Sequence, residues 1–221
     1  MAEQSNLNET GKMETIIALD AGTTKIAVLA MDARTAAPLA TASLPNDAAI
    51  SADSPAVHEQ DPQRITSICL QLIKTVLESA TVARRQIKAI CVTGQMHGIL
   101  MADKDLAPRT NLITWQDQRV LDSPRGGISQ LYNRIDNPKD LEKYGCYLRP
   151  GYGAVTLYWL KQNAVLPPAV KALAITDYLA AVLCGKIATD PTHAASWGIY
   201  DLTAKKWHHE LIDRLGIKDS V

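Results

Sequence analysis

Downstream of Asp61-Pro62, apolar residues fall at Ile65, Ile68, Cys69, Leu72, Ile73, Val76, Leu77 and Ala80. This i, i+3, i+4, i+7, i+8 spacing forms one stripe of an α-helix. Asp61 suits the N-cap and Pro62 the first helical position. Such a stripe packs against a sheet, and the neighbouring sequence supplies strands. Two apolar runs, Thr15–Leu19 and Ile26–Met31, flank the tight turn Asp20-Ala21-Gly22-Thr23-Thr24-Lys25 and predict a hairpin. Ala36–Leu44 reads as a third, more polar strand nearer an edge. Pro45–Gln60 carries Asn, Asp, Ser and two prolines and reads as a surface loop. Ile87–Thr93, short and rich in β-branched residues, reads as a buried strand. Alternation of strands and an amphipathic helix predicts an α/β domain.

Beyond Ile87–Thr93 comes a polar loop between two glycines, Gly94-Gln95-Met96-His97-Gly98, then a strand at Ile99–Ala102 and a turn at Asp103–Arg109. Asn111–Trp115 reads as a buried strand leading into Gln116-Asp117-Gln118-Arg119. From Val120 the pattern turns helical and proline-punctuated. A loop is expected at Ser123–Gly127, a short helix at Asp140–Tyr144, a tight turn at Tyr147–Gly153 and a helix at Ala154–Gln162. A further helix around Thr176–Cys184 ends at Gly185, followed by a short strand at Ile187–Thr189. Asp190-Pro191 caps one more helical turn, and Ala194–Trp197 leads to a turn at Asp201. The last amphipathic helix carries Trp207, Leu211, Ile212 and Leu215, closed by Gly216.

Composition narrows the function class. The chain has 221 residues, 47% hydrophobic and 21% charged, enough for a sizeable core. Basic and acidic residues number 23 each, so no long-range attraction to nucleic acid or an anionic membrane is expected. Residues 1–14 are polar and carry acids, which predicts a disordered tail and not a signal peptide. No run reaches the ~18 apolar residues of a membrane span. Cys69, Cys91, Cys146 and Cys184 show no metal-ligand spacing and sit among apolar neighbours. Core positions in a reducing cytoplasm are expected for all four.

Three stretches carry candidate chemistry. In the Asp20–Lys25 turn, a glycine permits close approach, Thr23 and Thr24 add hydroxyls, and the Asp20 carboxylate can hold Mg²⁺ through water. The same residue types also make an ordinary hairpin turn. Ligands of α/β folds gather at the carboxyl ends of strands, which draws attention to the Gln95-Met96-His97 loop. Its histidine either meets a ligand or is a solvated loop residue. Trp115, Asp117 and Arg119 put a ring, an acid and a guanidinium in one span, a mixture suited to a polyhydroxylated ligand. They either touch that ligand or brace the wall behind it.

In this order, Asp20–Thr24, Gly94–Gly98 and Thr189-Asp190…Ala194-Ala195-Ser196 resemble the FGGY family of carbohydrate kinases. Leu112–Asp117, Gly151-Tyr152-Gly153-Ala154 and Asp190 through Ala194-Ala195-Ser196-Trp197-Gly198 look closest to its sedoheptulokinase branch. The Gln-Met-His-Gly loop is shared with xylulokinases. The resemblance runs from about Ile16 to Ile217. It implies an actin-like, ribonuclease H-like ATPase domain with a mixed sheet flanked by helices, residues 15–221 forming the N-terminal, sugar-binding half. It further implies ATP and Mg²⁺ as cofactors and a ketose, sedoheptulose or xylulose, as substrate. Asp20 would then lie near Mg²⁺ and the transferred phosphate, with Gly22, Thr23 and Thr24 forming the phosphate-side turn. Gln95, Met96 and His97 match sugar-contacting positions. Trp115, Asp117, Arg119 and Tyr152 either join them or support them. Asp190 reads most simply as a helix cap. Gln118 stands where the family carries glycine, which leaves the conformation of that turn open.

The resemblance places the catalytic base, an aspartate of a Gly-Asp motif, beyond Val221, and the nucleotide largely on a C-terminal domain also beyond it. No catalytic residue is therefore expected within these residues, and an exposed domain interface would favour self-association. Sedoheptulose phosphorylation is the leading expectation. A non-catalytic sugar-binding module, a xylulokinase-like enzyme and another actin-like ATPase are the alternatives. The His97 and Trp115 loops argue against the last, since such ATPases have no use for a sugar wall.

Overall fold

The computed structural model describes residues 13–83, 85–121, 123–135, 138–168 and 170–221. Elements follow in chain order: β1 (Glu14–Ala21), β2 (Lys25–Asp32), β3 (Pro38–Pro45), β4 (Ala49–Ile50), β5 (Glu59–Gln60), α1 (Pro62–Leu77), β6 (Gln86–Gly94), β7 (Leu100–Ala102) and β8 (Leu112–Ile113). The second half holds α2 (Ile128–Tyr132), a 3-10 helix at Pro138–Tyr144, α3 (Gly153–Gln162), β9 (Lys171–Leu173), α4 (Ile175–Cys184) and α5 (Pro191–Ala195). It closes with β10 (Tyr200–Asp201), β11 (Lys206–Trp207), α6 (His209–Leu215) and a 3-10 turn at Lys218–Ser220. Among the described residues no helix is long and apolar enough to cross a membrane.

The main sheet has strand order β3-β2-β1-β6, antiparallel except for the parallel β1–β6 pair. Its mixed character follows from connectivity: tight turns join β1, β2 and β3, whereas α1 lies in the crossover to β6. Alternation puts Ile17, Leu19 and Ala21 on the face covered by α1 and α4. Asp20 points to the other face and is exposed. Asp61 caps α1 by accepting from the Gln63 N–H at 2.8 Å, and the stripe from Ile65 to Val76 is buried. Helix α1 ends at Leu77, so Ala80 lies beyond it and is exposed.

A second hydrophobic cluster gathers around Leu131, Leu157, Tyr158, Trp197 and Leu215. The β7–β9 ladder stands between the two cores. Ile99 and Met101 face the second core while Leu100 and Ala102 face the first; on β9, Ala172 and Leu173 divide in the same way. Period-two alternation lets one short ladder serve both, and every residue of Ile99–Ala102 is fully buried.

Several expectations are corrected. Among the described residues Gln86–Gly94 is an edge strand, paired only with β1 and mostly exposed, with Ile90 41% accessible. β-Branched composition reports the strand but not its position in the sheet. Cys91 on that strand and Cys184 at the end of α4 are exposed, so the core role holds only for Cys69 and Cys146. Burial pushes the Cys69 thiol up to about 12 and the Cys146 thiol to about 11. Residues 45–60 are not all loop: β5 lies between β4 and β8 in a small three-stranded sheet. Ile187–Thr189 is not a strand: among the described residues it pairs with no neighbouring strand, and it is exposed. Trp207 belongs to the β10–β11 hairpin, and α6 begins only at His209. Residues 1–12 of the expected tail lie outside the described residues, and Glu14 opens β1.

Candidate functional site

The carboxyl ends of β1 and β6 lie side by side, with Asp20 opposite Thr93 and Ala21 opposite Gly94. The loop leaving each strand therefore starts from one place. After β1 comes the Gly22–Thr24 turn, closed by the Gly22 N–H donating to the Lys25 carbonyl at 3.0 Å. Its carbonyls are tied down. Asn46 Nδ2 donates to the Gly22 carbonyl, the Asn46 N–H to that of Thr24, and Gln60 Nε2 to that of Thr23, each at 2.9 Å. Among the described residues the N–H groups of Thr23 and Thr24 have no partner. Two open amides, the Thr24 hydroxyl and the exposed Asp20 carboxylate fit phosphate oxygens and their cation.

After β6, the Gln95 N–H donates to the Ala21 carbonyl at 3.0 Å, so the second loop leaves against the first strand. That approach requires Gly94, where an added Cβ would sit 2.5 Å from the Ala21 oxygen. Gln95 Nε2 donates to Gln60 Oε1 at 2.8 Å, and the Thr23 hydroxyl lies 3.5 Å from Gln95 Oε1. Trp115 Nε1 donates to the same hydroxyl at 3.0 Å. Thr23 thus joins the first turn, the second loop and the Trp115 ring, which is 48% exposed.

His97 has φ +71° and sits in a three-residue turn closed by the Gly98 N–H donating to the Met96 carbonyl at 2.9 Å. That conformation is rare for a non-glycine residue and persists where surroundings over-determine it. Here they do. The ring stacks on Tyr152 with centroids 4.2 Å apart and planes 15° apart. Its Nδ1 lies 2.8 Å from the Ser196 carbonyl, and its backbone N–H donates to Ser196 Oγ at 3.3 Å. Ser196 is the C-cap of α5 and its hydroxyl donates to the His193 carbonyl at 2.6 Å. Asp190 caps the other end of α5 by accepting from the N–H groups of Thr192 and His193. Tyr152 is in turn the N-cap of α3, whose Ala154 N–H donates to the Trp197 carbonyl.

The structure thus brings Gly22, Thr23, Thr24, Gln95, Met96, His97, Trp115 and Tyr152 into loops that touch one another, with Asp20 at the end of β1 beside them. Asp117 and Arg119 are turned to other partners. The Asp117 carboxylate is 4% exposed, accepts from Arg119 Nε and Nη2 at 2.8 Å each, and from the His58 N–H at 2.9 Å. Arg119 Nη2 also reaches Glu59 at 2.5 Å. Burial opposes the charge on Arg119, but these two carboxylates hold its ionisation above the usual range. Gln118 needs no positive φ; its N–H donates to the Ala56 carbonyl at 2.8 Å.

Ser196 stands in a stretch that carries the family resemblance, but nothing in the sequence marks it as a site residue. It lies 99 positions from His97, and within Ala-Ala-Ser-Trp it looks like a helix terminus. A second group was also missed. Asp177, Asp190 and His193 lie within 4.8 Å of one another beside a groove of about 300 Å³ lined by Ile90, Val92 and Ala180. The Asp190-Pro-x-His spacing was the available signal. Burial pushes the Asp177 carboxyl up to about 6, against a hydrogen bond from Thr189. Burial opposes the Asp190 charge too, yet the His193 ring, 2.6 Å away, and its two capped N–H groups keep it below the ordinary range. Each member has an internal partner: Asp190 caps α5 and meets the His193 ring, and Asp177 accepts from Thr189.

Comparison with known proteins converges on one family. Residues 15–221 match the N-terminal domain of the FGGY family of carbohydrate kinases. The chain is 26% identical over 229 residues to the sedoheptulokinase of Mus musculus, covering 90% of this chain and 44% of that protein. It is 27% identical over 165 residues to the xylulose kinase of Klebsiella pneumoniae, covering 74% and 32%. Among solved structures, the gluconate kinase of Lactobacillus acidophilus superposes with a TM-score of 0.78 at 27% identity over 94% of this chain and 41% of that one. The xylulose kinase of Rhodospirillum rubrum gives 0.82 at 22% identity, over 94% and 42%, a likeness of fold. The chain thus spans less than half the length of these relatives, and its sheet and helices have the actin-like ATPase fold of such kinases. With a matching domain over nearly its whole length, the chain belongs to the FGGY family of carbohydrate kinases.

Proposed function

We propose that this chain is the sugar-binding half of an ATP-dependent ketose kinase whose preferred substrate is sedoheptulose, phosphorylated at its terminal hydroxyl. One observation carries the reading: the His97 loop, the Trp115 ring and the Gly22–Thr24 turn meet through the single hydroxyl of Thr23. A sugar wall and a phosphate turn joined in this way hold acceptor and donor at a fixed separation, which phosphoryl transfer requires. Gln95, Met96, His97, Trp115 and Tyr152 form the sugar wall. Asp117 and Arg119 brace it from behind, since their charges are used on each other, Glu59 and His58. The Thr23 and Thr24 amides would receive phosphate oxygens and Asp20 would hold Mg²⁺ through water. Bound Mg-ATP supplies the phosphoryl group, and the base that takes the hydroxyl proton comes from outside these residues.

Calorimetric titration tests this. Saturable heat is expected with sedoheptulose, weaker heat with xylulose, and none with either in a His97→Ala variant whose circular dichroism is unchanged. Stronger binding of xylulose would make the chain xylulokinase-like. Silence from both ketoses with folded wild-type chain would overturn the assignment of the wall.

A further inference from the structure

We infer that Ser196 is a positioning residue that selects the ring tautomer of His97, and through it the group the wall accepts from the sugar. The inference rests on the reading of the His97 loop as sugar-facing. A carbonyl oxygen can only accept, so the 2.8 Å contact between His97 Nδ1 and the Ser196 carbonyl puts the hydrogen on Nδ1. In the neutral ring the lone pair then lies on Nε2, which has no partner among the described residues. An acceptor nitrogen pairs with a hydroxyl hydrogen and not with a ketone oxygen. The wall is therefore built to receive a hydroxyl at His97.

Three constraints make the choice of tautomer firm. The Ser196 hydroxyl accepts the His97 backbone N–H and donates its own hydrogen to the His193 carbonyl, so it has one fixed orientation. Tyr152 stacks on the ring and holds its plane beside the Ser196 carbonyl. Helix α5, capped at one end by Asp190, sets where Ser196 stands. Removing the Ser196 hydroxyl leaves the His97 N–H without its acceptor in a turn already strained at positive φ, and the loop relaxes. The ring then loses its carbonyl partner and populates both tautomers.

Long-range ¹H–¹⁵N spectra of the histidine-labelled chain, without ligand, read this directly. The wild type is expected to show protonated Nδ1 and unprotonated Nε2 at His97; Ser196→Ala a mixture; Ser196→Thr, which restores a hydroxyl, the wild-type pattern. Sedoheptulose affinity should fall about tenfold in Ser196→Ala and recover in Ser196→Thr. An Nε2–H ring in the wild type, or an unaltered tautomer in a folded Ser196→Ala, would overturn the inference. If Ser196→Ala does not fold, the wild-type spectrum still decides. A chain that binds no ketose yet shows the predicted tautomer and its loss in Ser196→Ala would overturn the ketose reading and keep the positioning role.

Discussion

Asp177 is the residue at which burial and charge conflict most openly. It is 6% exposed, and its carboxyl is pushed up to about 6. A solvated aspartate ionises near ~4, so between the two values the native state keeps a proton that the unfolded chain has released. This contribution to stability falls as pH rises through that window and stays lost above it. Asp177→Asn should therefore be more stable than the wild type at pH 7, by on the order of 1–2 kcal/mol, and indistinguishable from it near pH 3. Urea unfolding of both proteins across that range measures the difference. A variant less stable at pH 7 would mean that the Thr189 hydrogen bond to the carboxylate outweighs its desolvation. His97 shows a different conflict, backbone strain held by side-chain contacts, and only the contact residues reveal what the strain serves.

Among elements, β6 separates what the sequence could tell from what it could not. Its length and β-branched content announce a strand, and the stripe of α1 and the hairpin of β1 and β2 were equally plain. Local periodicity carries that information. Edge position is not local: it depends on which strands find which neighbours. For the same reason β4, β5 and β9, two or three residues each, left no readable pattern, being defined by partners far along the chain, whereas β8 lies inside the apolar run 111–115 and was legible as a strand. The site divides likewise. Its loops were legible because residue types and glycines cluster in sequence, whereas the Thr23 junction and the Ser196 contact join positions 72 to 99 apart. The outer edge of β6 has a testable consequence. With Ile90 and Cys91 exposed on an edge unpaired among the described residues, the chain should self-associate as concentration rises. Sedimentation velocity should show this, and Ile90→Lys should move it towards monomer; a wild type that stays monomeric over a wide range would contradict it.

On the scale of the whole molecule, the two hydrophobic cores meet along the β7–β9 ladder, and the loops of the candidate site come from both sides of that seam. Gln95–His97 leaves the sheet of the first core, while Tyr152 and Ser196 border the helices of the second. Gly151 holds part of the join. At φ +79° an added Cβ would lie 2.1 Å from the Trp115 oxygen, so the backbone of one side rests directly on the other. Polar side chains gather at the seam around His97 and also in the groove beside Asp177, Asp190 and His193. The proposed sugar lies at the first, while the carboxylates and histidine of the second are satisfied by one another and by Thr189. Backbone and indole ¹H–¹⁵N spectra recorded while sedoheptulose is added compare them in one experiment. The expected result is progressive shifts at Gln95–His97, Ser196 and the Trp115 indole, with the amides of Asp177 and His193 unmoved. Shifts centred on Asp177 and His193, with the Trp115 indole and the His97 loop unchanged, would contradict it.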